Sequence, residues 1–329
     1  MAIGAVQWSW AQDEPPTFPL DNFYAERKPW PRQILKDFHF GLSTGYGHTF
    51  FGHKLDGFGV FQRPGYSPRI FPAGAAVGNR YSNWVNQVVG DTLAIQPGNF
   101  LVSSDTANLR FRGRSWHVPL RATLHYEYDR YRIGGGYSYE YMRLGEFRPR
   151  GDFKDQIGTF APTAPGGFMR RYFGLIGVSF YRLNEYLFSV EANVGSYKPG
   201  RNFNLAAIRK GVYVNVGVLI ERDFSEYLKG FIRPSFEIKN YTLATPEAGR
   251  SLVHNMNAVY VNVGFTYSLP ELPKCFHKDC RAQLNHAHGN REYRSRVHPV
   301  YKKQNPHYGE NHPRLIKYKG KNKKKLNPY

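Results

Sequence analysis

Val259-Tyr260-Val261-Asn262-Val263-Gly264-Phe265-Thr266-Tyr267-Ser268-Leu269 is the stretch that decides the fold. Its first six residues repeat a hexapeptide already present at residues 212–217. In the longer run Val259, Val261, Val263, Phe265, Tyr267 and Leu269 fall on one face. Tyr260, Asn262, Gly264, Thr266 and Ser268 fall on the other. Side chains alternate along a strand, so one face is apolar and the other small or polar. Similar runs recur between His39 and Leu269, joined alternately by short and long connections. This pattern predicts an all-β fold, an eight-stranded antiparallel transmembrane β-barrel with long extracellular loops. We read the repeated hexapeptide as convergence on a favourable barrel strand rather than as duplication.

The strands are expected at about 38–50, 114–128, 131–144, 171–182, 185–197, 211–222 and 226–241, with an eighth ending at Leu269. Connections one, three, five and seven are long, and the others are short turns. Barrels of this kind keep their short turns in the periplasm, so both termini are expected there. The first connection, about 51–110, is too long to be idle filler and is expected to bind a partner. Pro119 and Pro234 fall inside strands, where each removes a ladder donor. They are expected at bulges or near a rim.

Composition agrees with a barrel. Aromatics make up 16% of the 329 residues, with 24 Tyr and 24 Phe, as girdles at two membrane interfaces require. Mean hydropathy is −0.55, and no stretch approaches the roughly 20 apolar residues of a membrane helix. Residues 1–11 read as the remnant of a signal peptide, with Ser9-Trp10-Ala11 as a cleavage pattern. Residues 12–36 form a Pro-rich periplasmic linker. The barrel takes 37–270, and 271–329 form an extended basic periplasmic tail.

With the apolar face turned to lipid, Arg121, His125, Glu127, Glu140, Glu191, Lys229, Arg233, Glu237 and Lys239 point inward. Charges of both signs in a narrow lumen must pair, because an unpaired buried charge is very costly. Eight strands leave room for side chains and not for an open channel. The expected result is a salt-bridged plug. A lipid-modifying enzyme is the alternative, and it requires a His, Ser and acid cluster at the extracellular rim. Ser103, Ser104, Ser115 and His117 are the material for it. His125 with Glu127, two apart on one face, could supply a base and its partner, but no nucleophile motif accompanies them and they lie near the periplasmic end. A small-solute channel is a further alternative, as is a soluble barrel with a tail that binds nucleic acid.

The tail carries 15 Lys and Arg against four Asp and Glu. It is too poor in apolar residues to build a core and should be extended until it meets a partner. Arg291, Arg294, Lys302, Lys303, Arg314, Lys317, Lys319, Lys321, Lys323, Lys324 and Lys325 are its candidate contacts. In the periplasm the available anions are peptidoglycan carboxylates, lipid headgroups and acidic proteins, not nucleic acid. Cys275, His277, Cys280, His286 and His288 are close enough in sequence to hold zinc. Their spacing departs from common zinc patterns, and an oxidising compartment favours a Cys275–Cys280 disulfide. No other cofactor is expected.

The small barrel, the Gln12 that follows the cleavage pattern, and the tail ending Lys-Lys-Lys-Leu-Asn-Pro-Tyr together resemble outer-membrane barrels of Bacteroidota. These include the small barrels associated with type IX secretion and gliding. The resemblance covers about residues 37–270 and rests on architecture and strand style. One departure is that the aromatic residue ending the last strand, Tyr267, is internal here. The resemblance implies a scaffold subunit of an outer-membrane complex, held by lipid and protein partners, and not an enzyme.

Overall fold

The computed structural model describes residues 30–73, 79–92, 96–103, 108–183, 186–224, 227–245, 251–270, 272–278, 280, 286–288 and 291–294. Two compact units divide the chain, one over Asp37–Leu269 and the other over the segments flanking it.

The first unit is built on long antiparallel strands: β1 (Phe38–Lys54), β7 (Arg110–Tyr128), β8 (Tyr131–Arg150), β9 (Gly166–Leu183), β10 (Tyr186–Pro199), β11 (Ile208–Asp223), β12 (Leu228–Ala244) and β13 (Ser251–Ser268). They close into a barrel in the order β1-β13-β12-β11-β10-β9-β8-β7. Closure is visible at His39, which pairs with Ser268 on one side and His125 on the other. Short connections meet at one end, here the turn end. At one of them Asp129 adopts φ 51°, a left-handed conformation that Asp tolerates in a two-residue hairpin. The long connections gather at the opposite, loop end.

Burial alternates residue by residue, as the period of two demands. Along β13 every second residue from Leu252 to Ser268 is buried, and Val259, Val261, Val263, Phe265 and Tyr267 are exposed. Phe40, Leu42, Leu120, Leu124, Ile133, Ile176, Ile232 and Ile238 extend this apolar belt around the outside. Trp116, Tyr139, Tyr141 and Phe168 form an aromatic row at the loop-end edge of the belt, in mutual ring contact. Beyond that row Arg112 pairs with Arg148, and Arg110 with Arg150 and Lys54, all five facing outward. None of these five forms an ion pair among the described residues.

The prolines lie elsewhere than expected. Pro119 and Pro234 sit mid-strand, away from the register shifts. Each is accommodated by a gap in one ladder. Pairing of β1 with β7 lapses between Thr44↔Leu120 and Gly47↔His117. Pairing of β11 with β12 lapses between Gly217↔Ser235 and Ile220↔Ile232. A missing donor is thus confined to one side of each strand. Thr44 Oγ1 donates to the Pro119 carbonyl at 3.0 Å.

The loop end differs more from expectation. Within the first connection lie β2 (Phe58–Gln62), β3 (Arg69–Pro72), β4 (Arg80–Tyr81), β5 (Gly90–Asp91) and β6 (Phe100–Val102), forming a sheet of order β5-β4-β3-β2-β6. The sheet packs with the barrel rim into one hydrophobic core containing Phe51, Leu55, Phe58, Val60, Ile70, Trp84, Phe111, Phe147, Phe160, Tyr241, Leu243 and Met256. The barrel strands also run further than expected at this end, β8 reaching Arg150 and β9 starting at Gly166.

In the second unit a short helix, α1 (Trp30–Leu35), precedes the barrel. A hairpin of β14 (His286–His288) and β15 (Arg291–Tyr293) follows it.

Candidate functional site: the lumen, its cap and a cysteine–histidine cluster

All nine charged or histidine side chains expected inside the barrel face the lumen. The structure brings them together with five others: His39, His117, Arg132, Arg171 and Glu221. Two networks result. Toward the loop end Arg171 contacts Glu140 and Glu237, and donates to Tyr260 Oη at 3.1 Å. Tyr260 in turn donates to Glu140 at 3.0 Å, and Lys239 Nζ lies 2.6 Å from Glu237. His117 Nδ1 also contacts Glu140. Asn215 joins Glu237 to Ser235.

Toward the turn end Arg132 bridges Glu127 at 3.0 Å and contacts Glu221. Arg233 Nε pairs with Glu191 at 2.9 Å. Lys229, His39 and His125 surround Glu127 at 3.3–3.4 Å. Six Arg and Lys side chains therefore meet five carboxylates, and the lumen is nearly neutral. Each ion has partners, as burial requires. The remaining Arg121 packs its guanidinium 4.5 Å from the Phe173 ring. Among the described residues, a void of about 20 Å³ lies between Arg121, Arg171, Arg233, Tyr213 and Tyr260, room for about one water.

The repeated hexapeptide takes on a specific meaning here. Tyr213 and Tyr260 occupy its second position in each copy, and both turn inward toward the Arg171 guanidinium, at 5.8 and 5.0 Å. Gly47 makes room for Tyr260, since an added Cβ would strike the Tyr260 ring. Gly47→Val is expected to displace that ring and cost about 1–3 kcal/mol. A urea midpoint in detergent equal to that of the unaltered chain would rule this out.

A second seal lies above the charges. Trp84 is fully buried, 4.8 Å from Phe160, 5.1 Å from Phe111 and 4.6 Å from His53. His254 stacks on Tyr241 at 4.6 Å, and Tyr241 donates to the Val85 carbonyl. Arg80, in the small sheet, lies 4.2 Å over the Phe61 ring opposite Asp91. Burial lowers the Arg80 guanidinium from its ordinary value, against the pull of Asp91.

Among the described residues, Ser103, Ser115 and His117 do not assemble into the rim cluster expected for the enzyme alternative. His117 is fully buried in the lumen, and Ser115 is 2% exposed. Both belong to the inward face of β7, which runs on past them toward the loop end as far as Arg110. Ser103 follows β6 in the cap, and Ser104 lies outside the described residues. His39, His125 and Glu127 bring three possible metal-binding atoms together. Lys229 and Arg132 already occupy Glu127.

In the second unit Cys275 and Cys280 are not joined by the disulfide expected from sequence. Cys280 Sγ lies instead 3.1 Å from Nε2 of His286. His277 sits beside the group, its ring 4.9 Å from that of His288. Of the basic candidates, Arg291 and Arg294 are described. Lys302, Lys303, Arg314, Lys317, Lys319, Lys321, Lys323, Lys324 and Lys325 lie outside the described residues.

No family model matches the chain, and no curated protein does. Among solved structures it is similar to the outer membrane protease OmpT from Escherichia coli, at 14% identity and a TM-score of 0.30, over 71% of this chain and 97% of that one. It is also similar to the outer membrane protein OprG from Pseudomonas aeruginosa, at 9% identity and a TM-score of 0.32, over 72% and 98%. The residues of this chain carry the functional reading.

Proposed function

We propose that this protein is a non-enzymatic outer-membrane anchor, the scaffold subunit of a membrane complex. The observation that carries the reading is the double seal: among the described residues, a neutralised charge network fills the lumen beneath an aromatic cap. What remains available to partners is the outer surface of the cap and the basic tail. The apolar belt supports a membrane location. Its run from Val259 on β13 to Leu269 just beyond it, tilted as barrel strands are, spans about 25 Å, the height of an outer-membrane apolar band. An exposed belt of that size has no place in water. The arginines beyond the aromatic row fit the level of phosphate-bearing headgroups, where anions offset the repulsion of like charges on adjacent strands.

In this reading the turn end and both termini face the periplasm, and the tail docks on an acidic protein or on peptidoglycan there. A secretion assembly of the type IX kind is the complex that the resemblance suggests. Affinity capture from native outer membranes, comparing the intact chain with one stopped after Leu272, tests the proposal. Defined partners recovered with the intact chain and lost with the shorter one are expected. Capture of nothing by either chain would sink it. The channel reading makes the opposite forecast in planar bilayers, where the sealed barrel is expected to give no stepwise conductance.

A further inference from the structure

We infer that Cys275, Cys280, His286 and His288 form a tetrahedral metal site whose natural occupant is zinc. This inference is independent of the scaffold reading. One sulfur or nitrogen from each residue lies within 4.8 Å of all the others. A tetrahedral zinc with bonds of about 2.3 Å to sulfur and about 2.0–2.1 Å to nitrogen sets its ligand atoms roughly 3.4–3.8 Å apart, a small contraction from here. Cys280 Sγ and His286 Nε2 already stand at 3.1 Å.

Two further observations point to a ligand. Nε2 of His288 is buried and has no hydrogen-bond partner among the described residues. Neighbouring groups do not satisfy it, and a metal would. The second observation concerns stability. Hairpin β14–β15 has three-residue strands, and around it Leu272 and Cys275 are the buried apolar side chains among the described residues. Nevertheless the segment has defined contacts: Cys275 N donates to the Arg294 carbonyl at 3.1 Å, and Arg294 N to the Pro273 carbonyl at 2.9 Å. A piece this small lacks the core to fold alone and ordinarily needs a staple. Metal binding supplies folding free energy directly.

The donor set selects the metal. Two thiolates and two imidazoles suit zinc, and magnesium or calcium would need oxygen ligands. Two thiolates neutralise the dication, so the occupied site carries no net charge within a strongly basic tail. Four protein ligands fill the coordination shell, which makes the site structural and not catalytic.

The test uses the full-length protein extracted in detergent and titrated with cobalt(II). One cobalt per chain is expected, with a thiolate charge-transfer band and strong tetrahedral visible bands that zinc abolishes. Cys280→Ser and His288→Ala should each weaken binding on the order of 100-fold, while His277→Ala should leave it unchanged. Because a ligand substitution could simply unravel the hairpin, His288→Cys provides a second arm. It should retain the cobalt spectrum with a stronger charge-transfer band. Heat-dependent gel migration reports the barrel separately in every variant. A Cys275–Cys280 disulfide in the extracted chain would overturn the inference, as would cobalt binding that survives Cys280→Ser.

Discussion

Arg171→Leu is expected to destabilise the barrel by about 3–5 kcal/mol, the typical effect of breaking a buried ion pair from one side. The loss is large because Arg171 serves two carboxylates. Without it Glu140 keeps Tyr260 and His117, and Glu237 keeps Lys239. One buried negative charge is then left without a cation. Leucine also removes the guanidinium that Tyr260 receives. The size of the effect should depend on charge and not on volume. Adding Glu140→Gln to Arg171→Leu should therefore recover a substantial part of the stability. The measurement is the urea midpoint followed by heat-dependent migration. If the single variant unfolds at the same urea concentration as the unaltered chain, the network is not holding the lumen together.

Trp84→Ala should act on the cap and spare the barrel. Truncating a fully buried Trp costs about 3–5 kcal/mol through lost transfer free energy and the cavity left behind. Trp84 touches Phe160, Phe111 and His53, which come from three separate stretches of chain, so its loss loosens their mutual packing. Limited proteolysis should then cut rapidly within residues 55–109, while the barrel strands stay resistant. Equal protection of that connection in both proteins would show that the cap does not depend on Trp84.

Legibility in the sequence followed the length of the periodic runs. β13 declared both its faces because the eleven residues from Val259 to Leu269 alternate without interruption. Arg171 was harder to assign because β9 is apolar on both sides: Phe173 and Leu175 turn inward while Tyr172 and Ile176 turn outward. Glu221 sits in a similar setting beside inward Leu219. Arg132 could have been placed by counting back from Gly134. His117 was readable as inward by parity, but its depth below the rim was not, since the strands overrun the belt by several residues. The cap left no periodic trace because its strands are two to five residues long and its core is assembled from distant segments. For the cysteine–histidine cluster, what sequence lacked was the hairpin that returns His286 and His288 to Cys280. Linear spacing alone could not supply it.

The cap's dispersed core has a kinetic consequence. Its members come from β1, the first connection, β7, β8, the third connection, β9, β10, the fifth connection, β11, β12 and β13. No contiguous part of the chain contains enough of them to collapse alone, and contacts at long sequence separation form late because loop closure precedes them. The cap is therefore expected to mature after β1 has found β13 and the cylinder has closed. Until then its aromatic residues are unburied and the loop segments remain unfolded chain. Maturation of the cap afterwards would act as a latch, slowing the reopening of the β1–β13 seam far more than it speeds the seam's formation.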